Sequence, residues 1–178
     1  MTTNSIFATK SISKTITEVL LLFVIGFFAA FLHAKLRIPL KMPGHHGLEF
    51  MLIIMSGRTL SKLGAASTLS SLGASAFFLM PFAGIKDPIM PIAILLPGIM
   101  IDLFYYVTPK IKTSVVFIGL LAGIAYAMIP MVRFIFSLTT GYVYTNMAGG
   151  LAYPLISHFI WGTAGGMLAY GIIKVVKK

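Results

Sequence analysis

The sequence predicts an all-α integral membrane protein, a bundle of six transmembrane helices. Three observations carry that reading. The 178-residue chain is 58% hydrophobic and only 10% charged, where a soluble domain carries roughly a quarter charged residues. Its mean hydropathy is +0.96. Five or six apolar stretches of about 20 residues fit into its length, each enough to cross a hydrocarbon core of roughly 30 Å. Almost nothing is left over for a soluble domain. The predicted organisation is therefore an N-terminal cytoplasmic tail over residues 1–15 and a single six-helix domain over residues 16–178.

In the tail, Thr, Ser, Asn and two lysines predict a short flexible or interfacial segment. The length of the apolar segment that follows, with no small-x-small cleavage site, argues against a removed signal peptide. Thr15 and Glu18 have capping-box spacing and predict a helix over about 16–36. Gly26, Ala30 and Ala34 lie four residues apart and place three small residues on one face, where another helix approaches closely. That neighbour is either within the bundle or a partner. Residues 42–51, Met-Pro-Gly-His-His-Gly-Leu-Glu-Phe-Met, gather His45, His46 and Glu49 within five positions of a chain with four acids in all. Pro43, Gly44 and Gly47 bend the backbone around them, so a loop precedes a short second helix over about 48–60.

The third helix, about 64–81, is rich in Ser, Ala and Gly, which suits protein contact more than lipid contact. Asp87-Pro88 supplies an N-cap and a first-turn proline for a fourth helix running to about 107. Pro97-Gly98 predicts a kink within it. Asp102 is expected to pair with a lysine at the membrane surface. The fifth helix, about 113–138, has Gly119 and Gly123 spaced for close packing, Pro130, and Arg133 near its far end. A polar aromatic loop with Tyr142, Tyr144 and Asn146 leads to the sixth helix, about 151–174, with Tyr153, His158 and Trp161 in its first half.

Charge sets the expected orientation. With six spans, Lys10, Lys14, Arg58, Lys62, Lys110, Lys112, Lys174, Lys177 and Lys178 share a side with both termini, and Lys35, Arg37, Lys41, Lys86 and Arg133 lie opposite. Nine against five puts both termini in the cytoplasm of a multi-pass protein of the cell membrane. The basic residues are spread singly or in pairs at the ends of apolar segments, where lipid headgroups meet them, so the net charge of +10 is no argument for nucleic acid. There is no cysteine, which removes disulfides, thiolate metal sites and a cysteine nucleophile.

In this orientation the candidate site gathers on the outer face. His45, His46, Glu49, Arg133, Asn146, Tyr153, His158 and Trp161 converge there, as the polar groups and aromatic walls of a small-molecule site do. The histidines and Arg133 suit anionic or polar groups, and Tyr153 and Trp161 suit a ring. A His inside an apolar helix is a functional candidate by default. Other readings stay open at this point. The His45/His46/Glu49 loop has the donor types of a divalent metal site. His, Glu and Arg at an interface also suit a lipid-modifying membrane enzyme, although no paired-carboxylate site or Gly-x-Ser-x-Gly motif is present. A scaffold with a headgroup-facing polar rim is the third.

The layout resembles the S components of energy-coupling factor (ECF) transporters, small membrane proteins that capture vitamins and other micronutrients. The likeness rests on six predicted helices in a chain of this size, on Gly26, Ala30 and Ala34, and on the Leu-Arg-Ile-Pro-Leu stretch at 36–40. The Pro43-Gly44 loop, the segment from Gly57 to Ala66 and the Leu96-Pro-Gly-Ile-Met-Ile-Asp102-Leu-Phe pattern add to it. It implies an S-component bundle binding a micronutrient at the outer side, beneath the loop between the first two helices. It also implies docking of the small-residue face on a transmembrane T component, with two cytoplasmic ATPases driving release inside. The chain itself has no Walker A sequence and is expected to be neither an ATPase nor any other enzyme, and to need no cofactor. The family's cobalt and nickel members carry a metal-binding His at the extreme N-terminus, whereas this chain begins Met-Thr-Thr.

Overall fold

A computed structural model describes residues 3–35, 42–84, 86–108, 114–147 and 149–176, with the side chains of 3–11 and 146 outside the described set. The described residues form six α-helices: α1 (Thr3–Lys35), α2 (Gly47–Leu60), α3 (Ala66–Leu79), α4 (Met90–Val107), α5 (Val115–Thr140) and α6 (Ala152–Val176). Short 3₁₀ turns lie at Pro81–Ala83 and Thr145–Met147. No strand occurs among the described residues.

Among the described residues, four segments are long and apolar enough to cross a membrane: Ile12–Lys35, Met90–Val107, Val115–Thr140 and Ala152–Val176. The chain is thus a helical protein with the spans of a multi-pass membrane protein. The other two helices, α2 and α3, have 14 residues each. At 1.5 Å per residue they reach about 21 Å, short of a hydrocarbon core.

The helices pack as a closed ring in the order α1, α3, α4, α5, α6, α2. Within it α2 also touches α3 and α5, and Phe50, Met51, Ile54 and Met55 on α2 are fully buried. The outward faces of the long helices stay apolar, with Leu20, Val24 and Phe28 on α1, Leu120 and Ile124 on α5, and Ile156 and Ile160 on α6 all exposed.

Small residues set the close contacts. A Cβ on Gly26 would overlap the Ser70 carbonyl of α3, and Ala30 is fully buried. Ala34 packs against the same core. Of the two neighbours the spacing left open for the small-residue face of α1, the one within the bundle, α3, occupies it, and the outward face of α1 carries large apolar side chains. Gly119 and Gly123 meet Met167, Thr163 and Phe159 of α6, while Gly162 and Gly166 meet α5 in return. These pairs zip α5 to α6 as their spacing predicts.

Two expected helix starts move. The helix predicted to begin near residue 16 begins at Thr3, and Glu18 is not a capping residue: its carboxylate accepts a hydrogen bond from Ser61 Oγ at 2.6 Å. Tertiary contact with the end of α2 takes the side chain that local capping would use. Likewise α4 begins at Met90, with Asp87 accepting a bond from the Ile89 N–H at 3.1 Å just upstream. Asp102 pairs with Arg58 of α2 rather than with a lysine, at 3.0 Å, and also accepts the Ser67 and Thr68 N–H groups at 3.1 and 2.7 Å. One buried carboxylate thus satisfies the first turn of α3, whose N-cap residue, Ala65, has no capping side chain, and ties α2, α3 and α4 together.

Candidate functional site

At the opposite end of the bundle from Asp102 lies a cavity of about 150 Å³. His33 of α1, the loop from Met42 to His46, Met90 of α4, Tyr126, Ile129 and Arg133 of α5, and His158 of α6 line it. Every one of the chain's four histidines is in this wall. The rings are close: His45 and His46 have centroids 3.9 Å apart, His33 and His46 5.2 Å, and His158 stacks on Tyr126 at 4.9 Å.

The loop closes over the cavity because its backbone can take shapes other residues refuse. Gly44 has φ +75°, and a Cβ there would strike the His158 ring, so both conformation and space select glycine. The Gly47 N–H bonds to the Gly44 carbonyl at 2.8 Å, and Ser157 Oγ donates to the Pro43 carbonyl. Gly47 in turn leaves room for the Tyr126 ring, and α6 comes close enough to α2 that a Cβ on Gly165 would meet the Leu48 carbonyl.

Hydrogen bonding fixes the ring nitrogens. His45 Nδ1 bonds the Met42 carbonyl at 2.6 Å, His46 Nδ1 the Glu49 carboxylate at 2.7 Å, and His158 Nδ1 the Pro154 carbonyl at 2.7 Å. These oxygens accept, so each Nδ1 carries the proton and each Nε2 is the nitrogen left to interact. His45 Nε2, His33 Nδ1 and Glu49 Oε2 are buried and bond nothing in the protein. Such atoms are costly to bury unsatisfied; others lie elsewhere in the bundle, but those of His33 and His45 belong to residues that line a cavity, where a ligand can meet them.

Arg133 is the charged residue of the wall, and Asp87, outside the lining, holds it in place. Arg133 Nε donates to Asp87 Oδ2 at 2.7 Å, its Nη2 approaches Met90 Sδ at 2.9 Å, and its guanidinium lies 5.8 Å from the Tyr144 ring centroid. The Tyr144 hydroxyl donates to Asp87 Oδ1 at 2.8 Å. Burial first, then this bond, pushes its phenol above the ordinary value. Tyr142 packs on Tyr144 with centroids 4.8 Å apart. The 141–147 loop is thereby fastened to the start of α4.

Of the residues expected from sequence, His45, His46, Arg133 and His158 line the cavity, and Glu49 stands behind His46. Tyr153 is 55% exposed and is not part of the lining. Trp161 is half-buried on α6, outside the lining, with its Nε1 buried and unbonded. The side chain of Asn146 lies outside the described residues, as do Arg37 and Lys41 between α1 and α2. Sequence reasoning missed His33, Tyr126 and Asp87. His33 carried a usable signal, since it is an ionisable residue inside an otherwise apolar helix; Tyr126 carried none. No group of three or more His, Cys, Asp or Glu side chains among the described residues is arranged to hold a metal ion. No protein-family model, curated protein or solved structure gives a significant match to this chain.

Proposed function

We propose that this chain is the substrate-binding membrane subunit of an ECF-type ABC importer, taking up a vitamin or other micronutrient, with the cavity facing outward and both termini in the cytoplasm. One observation carries the reading most: all four histidines and Arg133, drawn from α1, the 42–46 loop, α5 and α6, surround one cavity with unbonded polar atoms in its wall. Pre-formed pockets with a few convergent polar groups are the ordinary form of small-molecule sites. The cavity has the volume of about five liquid-water molecules, which suits a small polar compound, and a larger one requires the 42–46 loop to lift. Uptake then depends on a T component and two cytoplasmic ATPases for energy, and the chain binds its substrate without transforming it.

The test is mass spectrometry of small molecules that co-purify with the protein in detergent, with elemental analysis of the same sample. A stoichiometric organic micronutrient, lost in His45→Ala and Arg133→Ala variants that still fold, is the expected result. A protein that carries only phospholipid, and gains no thermal stability across a panel of vitamins, overturns it. A metal-ion uptake subunit is the second reading. It is favoured by the Nδ1 anchoring of His45, His46 and His158, because metal-ligating histidines hold their second nitrogen this way. A stoichiometric transition metal in the elemental analysis selects it.

A further inference from the structure

A second cavity lies away from the histidines, on the outer surface between α1 and α2. It is an open groove of about 380 Å³. Leu21, Leu22 and Ile25 form one wall and Leu52, Ile53 and Leu60 the other. The groove exists because α1 packs more extensively on α3 than on α2. Its apolar walls end at a polar stop, the hydrogen bond from Ser61 to Glu18.

Beyond that stop both walls lead to a lysine. On α1, Lys14 lies one turn before Glu18, and positions 14, 18, 21, 22 and 25 share a helix face. On the other side Lys62 follows Ser61 directly. Both lysines are exposed. Two cations against the one Glu18 carboxylate leave an excess of positive charge at the mouth of an apolar slot that faces the membrane. We propose that this groove is a specific site for an anionic phospholipid, with one acyl chain between α1 and α2 and the phosphate held by Lys14 and Lys62. The bilayer supplies both parts of that ligand in the required register, a chain along the helices and a charge at their ends. The site is independent of the micronutrient reading and requires only that α1 span the membrane.

The experiment is native mass spectrometry of the full chain in detergent, titrated with phosphatidylglycerol and phosphatidylcholine of identical acyl chains. The expected result is one phosphatidylglycerol retained in preference to phosphatidylcholine. Each lysine near a membrane surface contributes roughly a fivefold preference, so Lys14→Gln with Lys62→Gln lowers phosphatidylglycerol affinity about 25-fold and removes most of its preference over phosphatidylcholine, whose choline already offsets the phosphate charge. Ile53→Trp, which fills the slot, weakens both lipids. Lys174→Gln, at the same end of the bundle on α6, leaves the preference intact, and unchanged melting temperatures show that the variants fold. Equal retention of both lipids by the wild type overturns the proposal. So does a preference that survives the double substitution, one that Lys174→Gln removes, or a groove occupied by a second copy of the chain.

Discussion

The two ends of this bundle both bury polar groups, and they do it in opposite ways. At one end, the Asp102 carboxylate accepts three hydrogen bonds, one from Arg58 and two from the first turn of α3. Arg58 in turn donates to the Gly64 and Ser61 carbonyls at 2.9 and 3.3 Å and lies over the Tyr105 ring. At the other end, four histidines, Tyr126 and Arg133 surround a cavity, and His33 Nδ1, His45 Nε2 and Glu49 Oε2 bond nothing in the protein. The first cluster spends its charge on joining helices. Buried atoms that bond nothing in the protein occur at both ends, Arg58 Nε, Ser67 Oγ and the Tyr105 hydroxyl among them at the first, but at the second those of His33 and His45 belong to residues that line a cavity. Burial of polar groups, even unbonded ones, does not identify a binding site; an adjoining cavity does.

The comparison can be broken most forcefully at the joined end. Asp102→Ala leaves Arg58 as an uncompensated buried charge, which costs about 3–5 kcal/mol. A large drop in melting temperature in detergent is expected, and the double change Arg58→Met with Asp102→Leu should recover much of it. If Asp102→Ala melts like wild type, this end is not architectural. Next in size is Gly44→Ala. The left-handed backbone costs an alanine roughly 1–2 kcal/mol, and the added Cβ must also displace His158. Ligand affinity is expected to fall by about tenfold or more, and an unchanged affinity would show that the loop is not part of the site.

A smaller effect separates binding from folding. His45→Ala removes one hydrogen-bonding group from the cavity wall, so titration should show roughly tenfold weaker ligand binding with little change in melting temperature. A stability loss as large as that of Asp102→Ala would instead make the histidine cluster structural. Smallest of all is Tyr153→Ala. This side chain is exposed and not part of the cavity lining, so stability should stay within about 0.5 kcal/mol and ligand affinity should not move. A clear loss of affinity would return Tyr153 to the site.

Much of the helical layout is legible in the sequence, and the reasons are local. Gly141, with φ 72°, ends α5 where its N–H reaches the Ser137 carbonyl. The glycine spacing on α5 and α6 reads directly as close packing. The starts of α1 and α4 are legible less well, because Glu18 and Asp87 are capping residues by spacing yet are drawn to Ser61 and Arg133 by packing. The site divides in the same way. His45, His46 and Glu49 stand out because they are adjacent in the chain, and His158 because it is ionisable in an apolar helix. His33 and Tyr126 join them only when α1, α5 and the loop come together, and Tyr153, exposed on α6, is not part of the lining.

Composition and hydropathy by themselves determine that this is an all-helical protein with long apolar spans, since backbone groups in lipid must be satisfied within each segment. They also determine the scarcity of acids that makes each one informative. Of the chain's four acids, Glu18, Asp87 and Asp102 accept a hydrogen bond from a residue more than 40 positions away, and Glu49 from His46 three positions before it. Only the tertiary structure decides which partners Glu18, Asp87 and Asp102 take, that α3 covers the small face of α1, and that His33 and His158 share one cavity with the adjacent His45 and His46. Those outcomes depend on which helix faces which. Local propensity does not encode that choice, because it is settled by the joint packing of all six helices.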